Sequence, residues 1–136
     1  MLTQKHINNL AYKIVGCAIE VHKELGPGLL ESIYERCLKR ELELNGLKVK
    51  SQLQVEVNYK GERIDSELRL DLLVEDLIVV ELKAVEVMHP LFTAQLLTYL
   101  KLLNKPKGLL INFHSENITK SLIPLVTDEF AKLPKD

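Results

Sequence analysis

The stretch Arg69-Leu70-Asp71-Leu72-Leu73-Val74-Glu75-Asp76-Leu77-Ile78-Val79-Val80-Glu81-Leu82-Lys83-Ala84 holds the pattern from which the fold follows. Leu68, Leu70 and Leu72 alternate onto one side, as do Ile78, Val80 and Leu82, the period of two expected of paired strands. If both sets face one core, opposed residues must have numbers of the same parity. The short connection Glu75-Asp76-Leu77 satisfies that condition and pairs Leu72 with Val80 and Leu70 with Leu82. The same register sets Asp71 opposite Glu81 on the other face, with Lys83 two residues along. A slip of one residue would send the two carboxylates to opposite faces.

Working outward, apolar residues at Ile7, Leu10, Ile14, Ala18, Val21 and Leu25 recur at helical spacing. They predict a helix from Thr3, a good N-cap, to Leu25, stopped by Gly26-Pro27-Gly28. A second helix is expected from Leu29 to Leu44, burying Leu30, Ile33, Tyr34, Cys37, Leu38 and Leu42 and ending at Asn45-Gly46. Gln52 to Tyr59 alternates as a strand, Lys60-Gly61 makes a turn, and strands follow over Ile64–Val74 and Leu77–Ala84. Pro90 suits the first turn of a helix running to Leu103. Leu109–Phe113 reads as a buried strand, laid parallel to the sheet by the helical crossover. Ser115–Asp136 is expected to be peripheral, with Pro124 and Pro134 limiting regular structure. The expected architecture is α/β: a three-stranded antiparallel meander, a crossover helix and a further strand, flanked by helices in a single domain over residues 1–136.

The 136 residues are 46% hydrophobic, enough for one domain with a real core. Eighteen basic and nineteen acidic residues leave a formal net charge of −1, which argues against tight binding of duplex nucleic acid by bulk charge alone. Cys17 and Cys37 read as buried reduced thiols. Met1–Leu10 is too polar for a signal peptide, and no apolar run approaches the ~20 residues of a membrane span. A cytoplasmic protein is the simplest expectation, and Asn117-Ile118-Thr119 then carries no meaning as a glycosylation sequon.

Two carboxylates a few ångströms apart repel one another unless a cation neutralises them, and Mg²⁺ is the common hard cation for such oxygen ligands. A metal ion there can activate water and stabilise charge on a phosphate oxygen. Lys83 is suited to orient the attacking water or to stabilise charge on phosphorus, and Glu31 can reach the same face as a further ligand or a water-holding group. Glu81-x-Lys83 by itself is more readily a solvated pair on an exposed strand face. What favours chemistry is Asp71 in matching register, with acids meeting between the strongly apolar Leu73 and Val79.

Gly28-Leu29-Leu30-Glu31-Ser32-Ile33-Tyr34 fits the signature Gly-x-x-Glu-x-x-Tyr. Together with Ala18–Gly28, Arg69–Glu75, Val80–Ala84 and Ala94-Gln95-Leu96-Leu97-Thr98-Tyr99-Leu100, it makes the chain resemble the GxxExxY protein family over roughly residues 10 to 115. That family is placed in the PD-(D/E)xK nuclease superfamily. The resemblance implies a PD-(D/E)xK nuclease-like core and a metal-dependent nuclease using Mg²⁺ or Mn²⁺. Asp71 and Glu81 would be metal ligands, Lys83 the catalytic lysine and Glu31 the helix-borne acid. Gln95 and Tyr99 resemble the Gln-x-x-x-Tyr motif of the RecB-like branch, and i, i+4 spacing gives them a shared helix face. The implied partner is nucleic acid, DNA ahead of RNA, with a homodimer left open.

A nuclease-like module that binds nucleic acid or a protein partner without cutting is the alternative, and small size with near-neutral charge suits it. A plain structural domain would require the whole acid cluster to be coincidence. His6, His22, His89 and His114 lack ligand spacing for zinc, and His22 is expected to pack or to end a helix. Tyr34 reads as a core aromatic with its hydroxyl satisfied, or as a group fixing Glu31 from one turn away. Lys101, Lys105 and Lys107 are either a solvated helix end or contacts for a nucleic-acid backbone.

Overall fold

The computed structural model describes residues 1–136. Helix α1 (Gln4–Leu25) starts where Thr3 caps it, the Thr3 hydroxyl accepting from the His6 N–H at 3.0 Å. It buries Ile7, Leu10, Ala11, Ile14, Cys17, Ala18 and Val21, a stripe at spacings of three and four. Helix α2 (Glu31–Leu44) follows a tight loop in which Gly28 has φ 104°, a backbone that only glycine adopts freely. Tyr34 fastens this loop: its hydroxyl donates to the Gly26 carbonyl and accepts from the Leu29 N–H. Its ring stacks on Phe113 at a centroid distance of 4.7 Å. The helix begins two residues later than expected, so Leu30 is turned outward at 70% exposure and Ile33 is 40% exposed. The buried stripe narrows to Tyr34, Leu38 and Leu42, with Cys37 half-buried.

The strands are β1 (Val49–Gln54), β2 (Val57–Tyr59), β3 (Glu62–Ile64), β4 (Arg69–Val74) and β5 (Ile78–Lys83). Helix α3 (Pro90–Leu103) then leads to β6 (Lys107–Asn112), α4 (Ile118–Ser121), β7 (Ile123–Val126) and α5 (Asp128–Ala131). Five strands form one sheet in the order β1-β4-β5-β6-β7, with β5 and β6 parallel and the other neighbours antiparallel. The strand expected over Gln52–Tyr59 is two pieces. Gln52 has φ 53°, which breaks the pleat, and Val55 turns inward as a buried residue before the chain leaves the sheet. The strand expected over Ile64–Val74 divides likewise, because β2 and β3 close a small separate hairpin through Lys60-Gly61. Pro124 does not prevent regular structure. It lies in β7 opposite Leu109, on a sheet edge where a missing N–H is tolerated.

Helices cover both faces of the sheet. On one face α1, α2 and Ile118 of α4 pack against Leu72, Val74, Ile78, Val80, Leu82, Leu109 and Ile111. On the other, Leu96, Tyr99 and Leu100 of α3 pack against Val55, Leu70, Leu73, Val79 and Leu110. Gly108 lets α3 lie close to β6: a Cβ there would stand 3.0 Å from Leu100 Cδ1 and 3.1 Å from Leu96 Cδ1, both side chains fully buried. Gly108→Ala should therefore destabilise the fold by about 1–3 kcal/mol through overpacking. Urea unfolding measures this, and an unchanged midpoint would contradict so close a contact.

Candidate active site at a fork in the sheet

Strands β4 and β5 pair as the alternation predicts, Val74 with Ile78, Leu73 with Val79 and Leu72 with Val80. At the next step the backbone ladder stops, and side chains take over its hydrogen bonds. The Asp71 N–H donates to Glu81 Oε2 at 3.1 Å, and the Leu82 N–H donates to Asp71 Oδ2 at 2.9 Å. Beyond this point β4 stays with β1 as far as the pair Arg69–Gln54, while β5 stays with β6 as far as Lys83–Asn112. The sheet forks, and the two carboxylates stand in the crotch. The expected pairing of Leu70 with Leu82 on one apolar face is lost here. Leu70 packs with the α3 layer, whereas Leu72 and Leu82 pack with α1 and α2.

Glu81 is one of only two buried polar or charged residues. Burial first, then the Asp71 carboxyl beside it and its charge, push the Glu81 carboxyl up to about 9, against the lowering effect of the Asp71 N–H and of Lys83. From the first turn of α2, Glu31 feels the opposed charges of Lys83 and Asp71, and partial burial raises its pKa. One turn further on, Glu35 is pushed up to about 7 by burial and by Asp71. Gln52 bridges the two, its Nε2 donating to Glu35 Oε1 at 2.7 Å and reaching Asp71 Oδ1 at 3.5 Å. From α3, the buried Tyr99 lies within the field of Glu81 and Asp71; burial first, then those charges, raise its pKa. Lys83 rests its ammonium on the Phe92 ring, 4.3 Å from the centroid.

In comparison with known families, residues 8–123 match the model of the PD-(D/E)XK nuclease superfamily. The chain belongs to that superfamily. No curated protein and no solved structure matches it. The α/β fold with its mixed five-stranded sheet is consistent with a PD-(D/E)XK nuclease-like fold, and nucleases of this superfamily commonly use divalent metal ions.

In this PD-(D/E)XK chain Asp71 and Glu81 meet at the fork, with Glu31, Lys83 and Tyr99 near enough to share their electrostatic field, while Gln95 is exposed on α3 one turn before Tyr99. The fork does not assemble a cage of three or more His, Cys, Asp or Glu side chains. Two carboxylates on adjoining strands nevertheless fit a small hard cation, because Mg²⁺ is usually held by one or two carboxylates with water and substrate oxygens completing its shell. Glu35 and Gln52 belong to the cluster and were missed in the sequence. Glu35 was detectable, since it stands four residues after Glu31 on the same helix face. Gln52 was not, because its place depends on a backbone kink. Elsewhere, His22 ends α1 and contacts the Ser115 carbonyl at 2.6 Å. Lys105 pairs with Asp76 at 3.1 Å, whereas Lys107 donates to the neutral Asn8 amide oxygen at 3.2 Å and makes no ion pair.

The raised carboxyls have a consequence for stability. Glu35 and Glu81 rise from an ordinary 4.5 to about 7 and about 9, so the folded chain holds protons that the unfolded chain releases. Their contribution is full below the unfolded value and is lost as pH climbs through the folded values. Glu81→Gln keeps an acceptor for the Asp71 N–H without the charge. It should melt like wild type near pH 5 and roughly 3–6 °C higher near pH 9, without added metal. A melting difference that stays constant across this range would count against the burial of a charge at Glu81.

Proposed function

We propose that the chain is a metal-dependent nuclease hydrolysing phosphodiester bonds of nucleic acid, DNA ahead of RNA. The observation that carries this reading is the carboxylate pair in the sheet fork: Asp71 and Glu81 each accept a backbone N–H across the strands, and Glu81 is held almost without solvent. Such an arrangement is costly for a plain structural domain, since adjacent buried carboxylates disfavour their charged forms. It suits a site that receives a cation. Asp71 and Glu81 would hold Mg²⁺ or Mn²⁺, which when bound lowers the pKa of a coordinated water and stabilises charge on a phosphate oxygen.

The other residues supply position and charge. Glu31, near Lys83 and Asp71, would add a further ligand to the metal or hold a water against the phosphate. Lys83 would leave the Phe92 face and place its ammonium against charge developing on the phosphate. Tyr99, buried on α3, would border the carboxylates and limit solvent on that side, with Gln95 one turn before it. The likeness to the GxxExxY family fits this reading, because Gly28 and Tyr34 shape the loop from which Glu31 enters the site.

The resting place of Lys83 on Phe92 favours a second reading, a nuclease-like module that binds without cutting. Cleavage assays separate the two. Wild type with Mg²⁺ or Mn²⁺ should cut single-stranded or duplex DNA, while Asp71→Asn and Lys83→Ala should each lose about 10²-fold or more in rate with melting behaviour retained. Equal cleavage by all three proteins would rule the site out. Binding of DNA by wild type with no cleavage in either metal would select the second reading.

A further inference from the structure

Beside the acidic row of α2 the helix carries cations that make no ion pair. Lys39 continues the row of Glu31 and Glu35, and Arg36 and Arg40 stand at its edge, where they also border the groove against α1 with Glu20, Glu24 and Glu41. Arg36, Lys39 and Arg40 are spaced i, i+3 and i+4, so they share one face. With Glu35, Glu43 and Ser51 they line a groove of about 320 Å³ that has no hydrophobic residue in its wall. The three ion pairs of the molecule, Arg63–Glu56, Lys105–Asp76 and Lys132–Glu129, involve none of them. Arg36 and Arg40 are exposed, and Lys39 donates only to the Ser51 hydroxyl, at 3.2 Å. In a chain of net charge −1, three such cations in one groove are a local concentration that overall composition conceals.

The groove is continuous with the acid cluster. Glu31, Glu35 and Lys39 follow one another at four-residue intervals along α2. Across from them, Glu31 meets the field of Asp71, Glu35 accepts from Gln52, and Lys39 bonds Ser51, so this stripe follows β1 away from the fork. At 1.5 Å per residue, Lys39 lies about 12 Å from Glu31 along the helix axis, on the order of three nucleotides of a strand. Resting on the nuclease reading above, we propose that this groove is the track on which Arg36, Lys39 and Arg40 hold the phosphate backbone of the strand whose scissile bond lies at the fork. The contacts are to phosphate, so they position the strand without reading its sequence. Glu43 stands on the groove wall against the strand's charge and opposes its passage at the far end.

The test is fluorescence anisotropy with a fluorescein-labelled single-stranded DNA 30-mer, in EDTA so that nothing is cut. Changing Arg36, Lys39 and Arg40 together to Gln should weaken binding at least tenfold and flatten the dependence of log K on log salt by about 2, the slope for three phosphate contacts on a single strand. Glu43→Gln should tighten binding about two- to threefold, a gain that damage to the fold does not produce. Lys120→Gln with Lys135→Gln, away from the groove, should leave affinity unchanged. Wild type that binds no DNA or RNA would overturn the nuclease reading and the track with it. Wild type that binds, with the triple variant binding equally well, would overturn the track alone. Poly-glutamate held more tightly than the 30-mer would assign the cations to an acidic protein and also overturn it.

Discussion

Everything that distinguishes this sheet depends on one exchange of acceptors. In an antiparallel pair, each backbone N–H ordinarily finds a carbonyl on the neighbouring strand. At Asp71 and Leu82 the acceptor is instead a carboxylate oxygen from the opposite strand, at 3.1 and 2.9 Å. The backbone groups remain satisfied, so the interruption leaves no unpaired buried amide. No buried side-chain nitrogen or oxygen lacks a partner either. Because side chains are longer than carbonyl bonds, the strands are free to part. The sheet divides into a β1-β4 arm and a β5-β6-β7 arm.

The fork then determines chemistry as well as shape. A continuous ladder would leave Asp71 and Glu81 as neighbours on a covered face. With the fork, their carboxylates stand where α2 can bring Glu31 and Glu35 from one side and α3 can bring Tyr99 from another. The same groups that replace the ladder thus bring two carboxylates together, an arrangement in which like charges disfavour one another's ionised form. Burial first, and then Asp71, raise the carboxyls of Glu81 and Glu35 above their ordinary value. A concavity of about 480 Å³ between α1 and α2, bordered by Val21, Leu25, Ile33 and Cys37 together with charged residues that include Arg36 and Arg40, lies apart from these carboxylates.

Much of the architecture was legible because it rests on periodicity. The parity of Leu72, Val74, Ile78 and Val80 fixes the β4–β5 register, Thr3 and Pro90 mark helix starts, and the apolar run at Leu109 gives the parallel strand. The departures occur where local hydrogen bonding competes with pattern. Leu70 continues the alternation of Leu72 yet packs on the opposite layer, because the ladder ends between them. The break at Gln52 follows from a positive φ at a residue type that does not announce one. Pro124 looked like an obstacle and proved compatible with an edge strand. In the site, the pairing of Asp71 with Glu81 followed from apolar neighbours alone. The placement of Lys83 against Phe92 depends on a tertiary contact with α3, and no spacing in the chain encodes it.

Tyr34 joins the entrance of α2 to the interior in a way that bears on motion. Its hydroxyl spans Gly26 and Leu29, and its ring lies against Phe113, which is fully buried. Releasing the loop requires an aromatic ring to leave the core. The segment that delivers Glu31 is thereby part of the cooperative unit formed by the sheet, not one of the surface segments that open independently. The backbone that carries Glu31 to the fork is anchored through Tyr34 to the interior rather than hung on a free surface loop.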